Sequence, residues 1–186
     1  GQVVYAVAYE GRIAAVDRRS GQVMWHRDIS SYTGITFSDN KLYVSHTLGS
    51  FYALDDATGK TFWRQGDLLN RRLTTPVVLK DFVAVGDLEG YVHFINLENG
   101  QFAARIQVGS KAVMSLIAGN SPSQLVAATR DGGLYAVSIE GSAVSTSIEP
   151  RQSAPSPTAE ESEAKEPDDV QSQSSESAEE PSRSIL

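Results

Sequence analysis

Four stretches of this chain repeat one another in register, and no other feature constrains the fold as tightly. They begin at Val3 (VVYAVAYEGRIAAVDRRSGQVMWHRDI), Lys41 (KLYVSHTLGSFYALDDATGKTFWRQGDL), Phe82 (FVAVGDLEGYVHFINLENGQFAARIQV) and Gln124 (QLVAATRDGGLYAVSIEGSAVSTSI). Several markers recur together. A first turn glycine falls at Gly11, Gly49, Gly90 and Gly133. The second apolar run closes at Asp17, Asp55, Asn96 and Ser138, and a second turn glycine follows at Gly21, Gly59, Gly100 and Gly141. The third run carries Trp25 and Trp63, then Ala104 and Ser145.

Each unit reads as strand. The runs are short, rich in Val, Ile, Tyr and Phe, and alternate at period two. Glycine at the turns is expected where a tight hairpin needs positive φ, which a residue with a Cβ adopts only at a cost. A further strand fits between units at 34–39, 74–81 and 112–119, with Pro76 near a strand start, where a missing N–H costs least. No segment sustains a 3.6-residue period, so almost no helix is expected. Four antiparallel strands recurring about every 40 residues predict an all-β fold, a run of about four β-propeller blades. A lone twisted sheet cannot bury both faces, whereas stacked blades bury each other. Trp25 and Trp63 stand at equivalent places and are expected to fill the seams between blades rather than stack on a cofactor. A β-sandwich is the competing architecture, but it predicts irregular spacing and no locked repeat.

Charge divides the chain. Residues 1–148 balance their acidic and basic side chains, so the whole net charge of −7 sits after residue 148. A neutral body argues against a nucleic-acid surface. The expected organisation is a propeller body at 1–148 and an acidic tail at 149–186. The tail has no aromatic residue and is rich in Ser, Glu and Pro, which predicts disorder. Cysteine is absent, which removes disulfide and thiolate chemistry. No apolar run approaches the ~18 residues of a membrane span. The chain begins already inside a strand and reads as cut from something longer.

The loop DLLNRRLTTP (67–76) is the best contact candidate. It places Leu68, Leu69 and Leu73 beside Arg71 and Arg72, a pairing of apolar anchors with forked cations that suits a protein partner. The plainer alternative is that the leucines plug the blade base. Asp55, Asp56, Asp87 and Glu89 sit at turns of different blades, where a carboxylate stabilises the turn itself, so no calcium site is expected. His26, His46 and His93 fall in different units without ligand spacing. No catalytic, metal or cofactor residue is assigned.

The pattern V-Y-x(4)-G-x-(I/L)-x-A-(V/L)-D-x-x-(S/T)-G-x-x-x-W resembles the quinoprotein-like β-propeller repeat. The words VYAVAYEGRIAAVDRRSGQVMWHRDI, DLLNRRLTTPVVL and GDLEGYVHFINLENGQF are similar to the C-terminal half of the BamB family of outer membrane assembly factors, over roughly residues 1–138. That resemblance implies an eight-bladed propeller on the periplasmic face of a Gram-negative outer membrane. It implies a non-enzymatic scaffold without cofactor, whose partners are the periplasmic domains of a central barrel subunit (BamA-like) and unfolded outer membrane clients. Membrane association would come from a lipid anchor upstream of this chain. Two other readings stay open. A pyrroloquinoline-quinone dehydrogenase shares the repeat but needs clustered carboxylates and usually a cysteine pair. A periplasmic adaptor propeller would share the fold with a different partner.

Overall fold

The computed structural model describes residues 2–140 and 143–148. The expected disordered tail at 149–186 and the turn glycine Gly141 lie outside the described residues. All regular structure among the described residues is strand, in four antiparallel meanders. Blade 1 comprises β1 (Val3–Val7), β2 (Ile13–Asp17) and β3 (Val23–Arg27). Blade 2 comprises β4 (Ile35–Ser38), β5 (Lys41–Ser45), β6 (Phe51–Asp55) and β7 (Thr61–Gln65). Blade 3 comprises β8 (Val77–Val78), β9 (Phe82–Gly86), β10 (Tyr91–Asn96) and β11 (Phe102–Gln107). Blade 4 comprises β12 (Val113–Ala118), β13 (Gln124–Thr129), β14 (Leu134–Glu140) and β15 (Ala143–Ile148).

Burial follows from stacking. In blades 2 and 3, β5, β9 and β10 are buried almost continuously, because a neighbouring sheet covers each face. In blade 1, β1 alternates between half-buried and exposed residues. In blade 4, β13 alternates as well. Leu42, Val44 and Leu54 of blade 2 pack with Ile13 of blade 1, and Tyr5 and Trp25 lie against them. Tyr43, Phe51 and Trp63 of blade 2 meet Val83, Val85 and Ile95 of blade 3. Phe94 and Val92 of blade 3 meet Leu125, Ala127, Val137 and Ile139 of blade 4. Burying a side chain of the size of Phe51 or Phe94 contributes about 2–3 kcal/mol.

The two turns of each blade differ in kind. In blades 1 to 3 the second is a five-residue turn rather than a two-residue hairpin. The N–H of Gly21 donates to the carbonyl of Asp17 at 2.8 Å, Gly59 to Asp55 at 2.8 Å, and Gly100 to Asn96 at 3.0 Å. The three glycines have φ of 71°, 68° and 72°. The leading side chain caps the turn. Asp17 accepts from the amides of Arg19 and Ser20, Asp55 from Thr58, and Asn96 from Glu98. The extra residue appears as a register slip in each hairpin. In blade 4 the β14–β15 hairpin closes with Glu140 opposite Ala143 and no slip. Ala136 therefore faces Ser147, so Ser147 rather than Ser145 holds the place of Trp25, Trp63 and Ala104.

At the first turn, Gly49 and Gly90 take φ of 93° and 88°. Two glycines depart from expectation. In blade 4, Gly132 and not Gly133 adopts positive φ (85°), because the loop runs from Thr129 to Gly133 and closes with the Gly132 N–H on Thr129. In blade 1, Glu10 (φ 52°) takes the left-handed position in place of Gly11. The Oγ of Ser30 holds the Glu10 amide at 2.8 Å.

The tryptophans join each blade to the next. The Nε1–H of Trp25 donates to the Asp56 carbonyl at 2.8 Å, and that of Trp63 to the Leu97 carbonyl at 3.0 Å. Each indole lies on the second-turn glycine of the following blade. A Cβ on Gly59 would stand 2.6 Å from Trp25, and one on Gly100 would stand 2.6 Å from Trp63. Two residues further on, Arg27 donates to the Gly59 carbonyl and Gln65 to the Gly100 carbonyl.

Candidate partner-contact surface

The loop after β7 is fixed by both neighbouring first turns. The Asn70 N–H donates to Leu48 at 3.0 Å, and the Leu88 N–H donates to the Arg71 carbonyl at 2.9 Å. The loop presses so closely on blade 2 that a Cβ on Gly49 would fall 2.0 Å from the Leu68 oxygen. Asn70 and Arg72 turn it with φ of 61° and 49°.

The five candidate residues divide into two groups. Leu68 and Leu73 are each 1% exposed and plug the seam between blades 2 and 3. Arg71 is committed internally. Its Nη1 donates to Asp87 Oδ2 at 2.7 Å and to Glu89 Oε2 at 2.8 Å. That leaves Leu69, 55% exposed, and the exposed Arg72 facing outward.

Asp87 anchors this arrangement. It is fully buried, its Oδ1 accepts from the amides of Glu89 and Tyr91, and its Oδ2 meets His93 Nε2 at 2.8 Å. Burial alone would raise its carboxyl pKa. The bonds from His93, the Tyr91 amide and Arg71 outweigh that and hold it down at about 2. Arg71 is pushed above its ordinary value, chiefly by its bond to Asp87. Asp87 is thus a turn cap, as its position suggests, and also the pin that fastens the 67–76 loop to blade 3. The sequence pattern did not show this second role, because Arg71, Asp87 and His93 come together only when blades 2 and 3 stack.

The remaining acidic and histidine side chains do not converge. Asp55 caps its own turn, and Asp56 accepts from the Tyr5 hydroxyl at 3.0 Å. His46 Nδ1 accepts from the Leu48 amide. Among the described residues no three His, Cys, Asp or Glu side chains are grouped as a metal site.

Around Arg72 the surface carries a hollow of about 630 Å³ lined by Tyr9, Glu10, Ser30, Tyr32 and Leu48. Tyr9, Tyr32, Leu48, Leu69 and Leu88 all expose more than a third of their surface on first-turn or inter-blade loops. Of these five the sequence pattern singles out only Leu69. The available signal was an apolar residue within a turn that otherwise takes polar ones, at Tyr9, Leu48 and Leu88.

Residues 1–65 match a family model described as outer membrane protein assembly factor BamB. BamB of Yersinia pestis is 40% identical over 126 residues, covering 68% of this chain and 32% of that protein. The crystal structure of BamB from Moraxella catarrhalis superposes with a TM-score of 0.68 at 31% identity, over 74% of this chain and 40% of that one. The blades are of the BamB type. This BamB-like chain spans about a third of the length of the curated relatives it matches. A quinohemoprotein alcohol dehydrogenase from Comamonas testosteroni also superposes, with a TM-score of 0.63, over 80% of this chain and 33% of that one. At 17% identity it shares with the BamB-like chain the fold alone.

Proposed function

We propose that these blades form part of a non-enzymatic scaffold that assists the folding and insertion of outer membrane β-barrel proteins. It acts at the periplasmic face of a Gram-negative outer membrane, through contacts with the periplasmic domains of the central barrel subunit and with unfolded clients. The observation that carries this reading is the loop-end surface. Arg72 shares a hollow with Tyr9, Tyr32 and Leu48, and the exposed Leu69 lies on the same loop, which the Arg71–Asp87 pair fastens to blade 3. Aromatic and apolar anchors beside an arginine, presented without mobile backbone, make an economical protein contact. The BamB-type relatives supply the machinery in which such a contact operates. No helix of the described residues is long and apolar enough to cross a membrane. In this reading the lipid anchor lies upstream of Gly1.

The test is capture of the barrel subunit's periplasmic domains by the chain with Leu69→Asp and Arg72→Glu. Affinity should fall about ten-fold or more while the melting temperature holds, since neither side chain is buried. Capture unchanged by both substitutions would overturn the placement of the contact.

A further inference from the structure

Beside the Arg71–Asp87 pin, on the flank of blade 3, lies a second groove of about 430 Å³. Its walls are Asp67, Leu68, Arg71, His93, Phe102 and Arg105. His93 is 2% exposed, with its ring 5.9 Å from Phe102 and 6.2 Å from Tyr91. Its Nε2 is taken by Asp87. An ionised carboxylate only accepts, so Nε2 carries a hydrogen, and in the neutral ring Nδ1 then holds the lone pair. Nδ1 has no bonding partner among the described residues, yet no fully enclosed side-chain nitrogen or oxygen there lacks one. Nδ1 therefore opens into the groove, an acceptor set beside Leu68, Phe102 and Ala104.

The charges argue against an anion. Asp67, Asp87 and Glu89 outnumber Arg71 and Arg105. Arg71 is already bound to two carboxylates, and Arg105 lies 5.1 Å over the Tyr91 ring. A neutral ligand with an apolar body and one donor at its tip fits both the walls and the lone pair. Tyrosine and tryptophan side chains have that form. The groove also lies next to an open backbone edge. β11 is the terminal strand of its sheet, and the Phe102–Arg105 segment lines the cavity. An extended segment paired to that edge would direct every second side chain to one face.

We propose that this groove receives a tyrosine or tryptophan side chain from an extended partner segment laid along β11, with its O–H or N–H donating to Nδ1 of His93. That the segment comes from an unfolded β-barrel client rests on the function proposed above. The chemistry of the pocket does not. Membrane-spanning β-strands carry such aromatic residues at their ends.

The test uses the full chain with N-acetyl-tyrosinamide and N-acetyl-phenylalaninamide, followed by long-range 1H–15N spectra of the imidazole nitrogens. The tyrosine probe should bind about five-fold more tightly, the worth of one neutral hydrogen bond. Of the three histidines it should shift only His93, at Nδ1. Replacing His93 would strip Asp87 of a partner, so the blocking variant is Ala103→Trp, which fills the groove from its rim. It should lose about ten-fold or more in affinity with an unchanged melting temperature. Equal affinity for the two probes, an unmoved Nδ1, or full binding by Ala103→Trp would overturn the proposal. If the probe binds but barrel strand peptides bind no better than scrambled ones, the client assignment falls and the pocket stands. If the probe fails while capture of the periplasmic domains remains sensitive at Leu69 and Arg72, the pocket falls and the scaffold stands.

Discussion

Trp25 and Gly59 touch across the first seam so closely that a single added methyl on Gly59 would lie 2.6 Å from the indole. Gly59 also sits at φ 68°. Gly21 shares the turn geometry at φ 71° but has nothing within 4 Å of its missing Cβ. The two glycines therefore separate backbone strain from packing. Gly21→Ala should cost about 1 kcal/mol through the left-handed backbone alone. Gly59→Ala should cost about 1–3 kcal/mol more, because the indole has to move. Urea denaturation of both variants checks this, and equal losses would show that the indole yields freely.

Trp63 makes a parallel prediction about the second seam. Trp63→Phe keeps an aromatic ring against Gly100 but loses the bond to the Leu97 carbonyl, and should cost roughly 1 kcal/mol beyond its reduced packing. Trp63→Ala should cost about 3–5 kcal/mol. A phenylalanine variant as unstable as the alanine one would place the bond above the packing.

Asp87 sets the acid limit of blade 3. Its folded value of about 2 lies below the ordinary 3.8. A depressed carboxyl stabilises the fold fully above the unfolded value, and that stabilisation is lost as pH falls through the folded one. Stability should therefore drop by about 2 kcal/mol between pH 4 and 2. Asp87→Asn should lack that component. It should also be weaker by about 3–5 kcal/mol at neutral pH, with Arg71 left without its buried partner. Denaturant titrations across this pH range distinguish the two proteins.

Tyr43 and Tyr5 set an alkaline limit. Burial pushes Tyr43 up to about 12. Tyr5 also rises to about 12, first through burial and then through its bond to Asp56. A raised value stabilises the fold fully below the ordinary 10 and is lost as pH rises through 12. Absorbance titration should show two phenols ionising late, and Tyr5→Phe and Tyr43→Phe should each remove one of them.

What the sequence disclosed and what it concealed divide along physical lines. Alternation and turn glycines are local, so the blades, their order and Trp25 and Trp63 could be read directly. The slip from Ser145 to Ser147 could not, because it depends on whether a hairpin holds a bulge, and β14 and β15 pair without one. The shift from Gly133 to Gly132 has another origin: Thr129–Gly133 closes as His46–Ser50 and Asp87–Tyr91 do, so Gly132 is the counterpart of Gly49 and Gly90, and two adjacent glycines hide which of them takes that place. The contact loop was recognised by composition. Which of its leucines face outward depended on the depth at which the loop settles over Gly49. The link from Arg71 through Asp87 to His93 spans two blades and leaves no periodic trace.

The tryptophan contacts run one way: blades 1 and 2 each grip the turn of their successor. Trp25 and Arg27 hold the turn at Gly59, and Trp63 and Gln65 hold the turn at Gly100. At the equivalent positions blade 3 offers Ala104 and Ile106, which have no side-chain donor. Two of the three joints are thus keyed, with a polar tooth that fits a single slot, and the third is plain, crossed by the backbone bonds of Val113 to Asp87 and Lys80 to Pro122 but without such a tooth. Under heat or mechanical load the plain joint should part first, releasing blade 4 as a unit while blades 1 to 3 stay locked in sequence. Because every key has the same cut, one such unit could take another's place without either being redesigned.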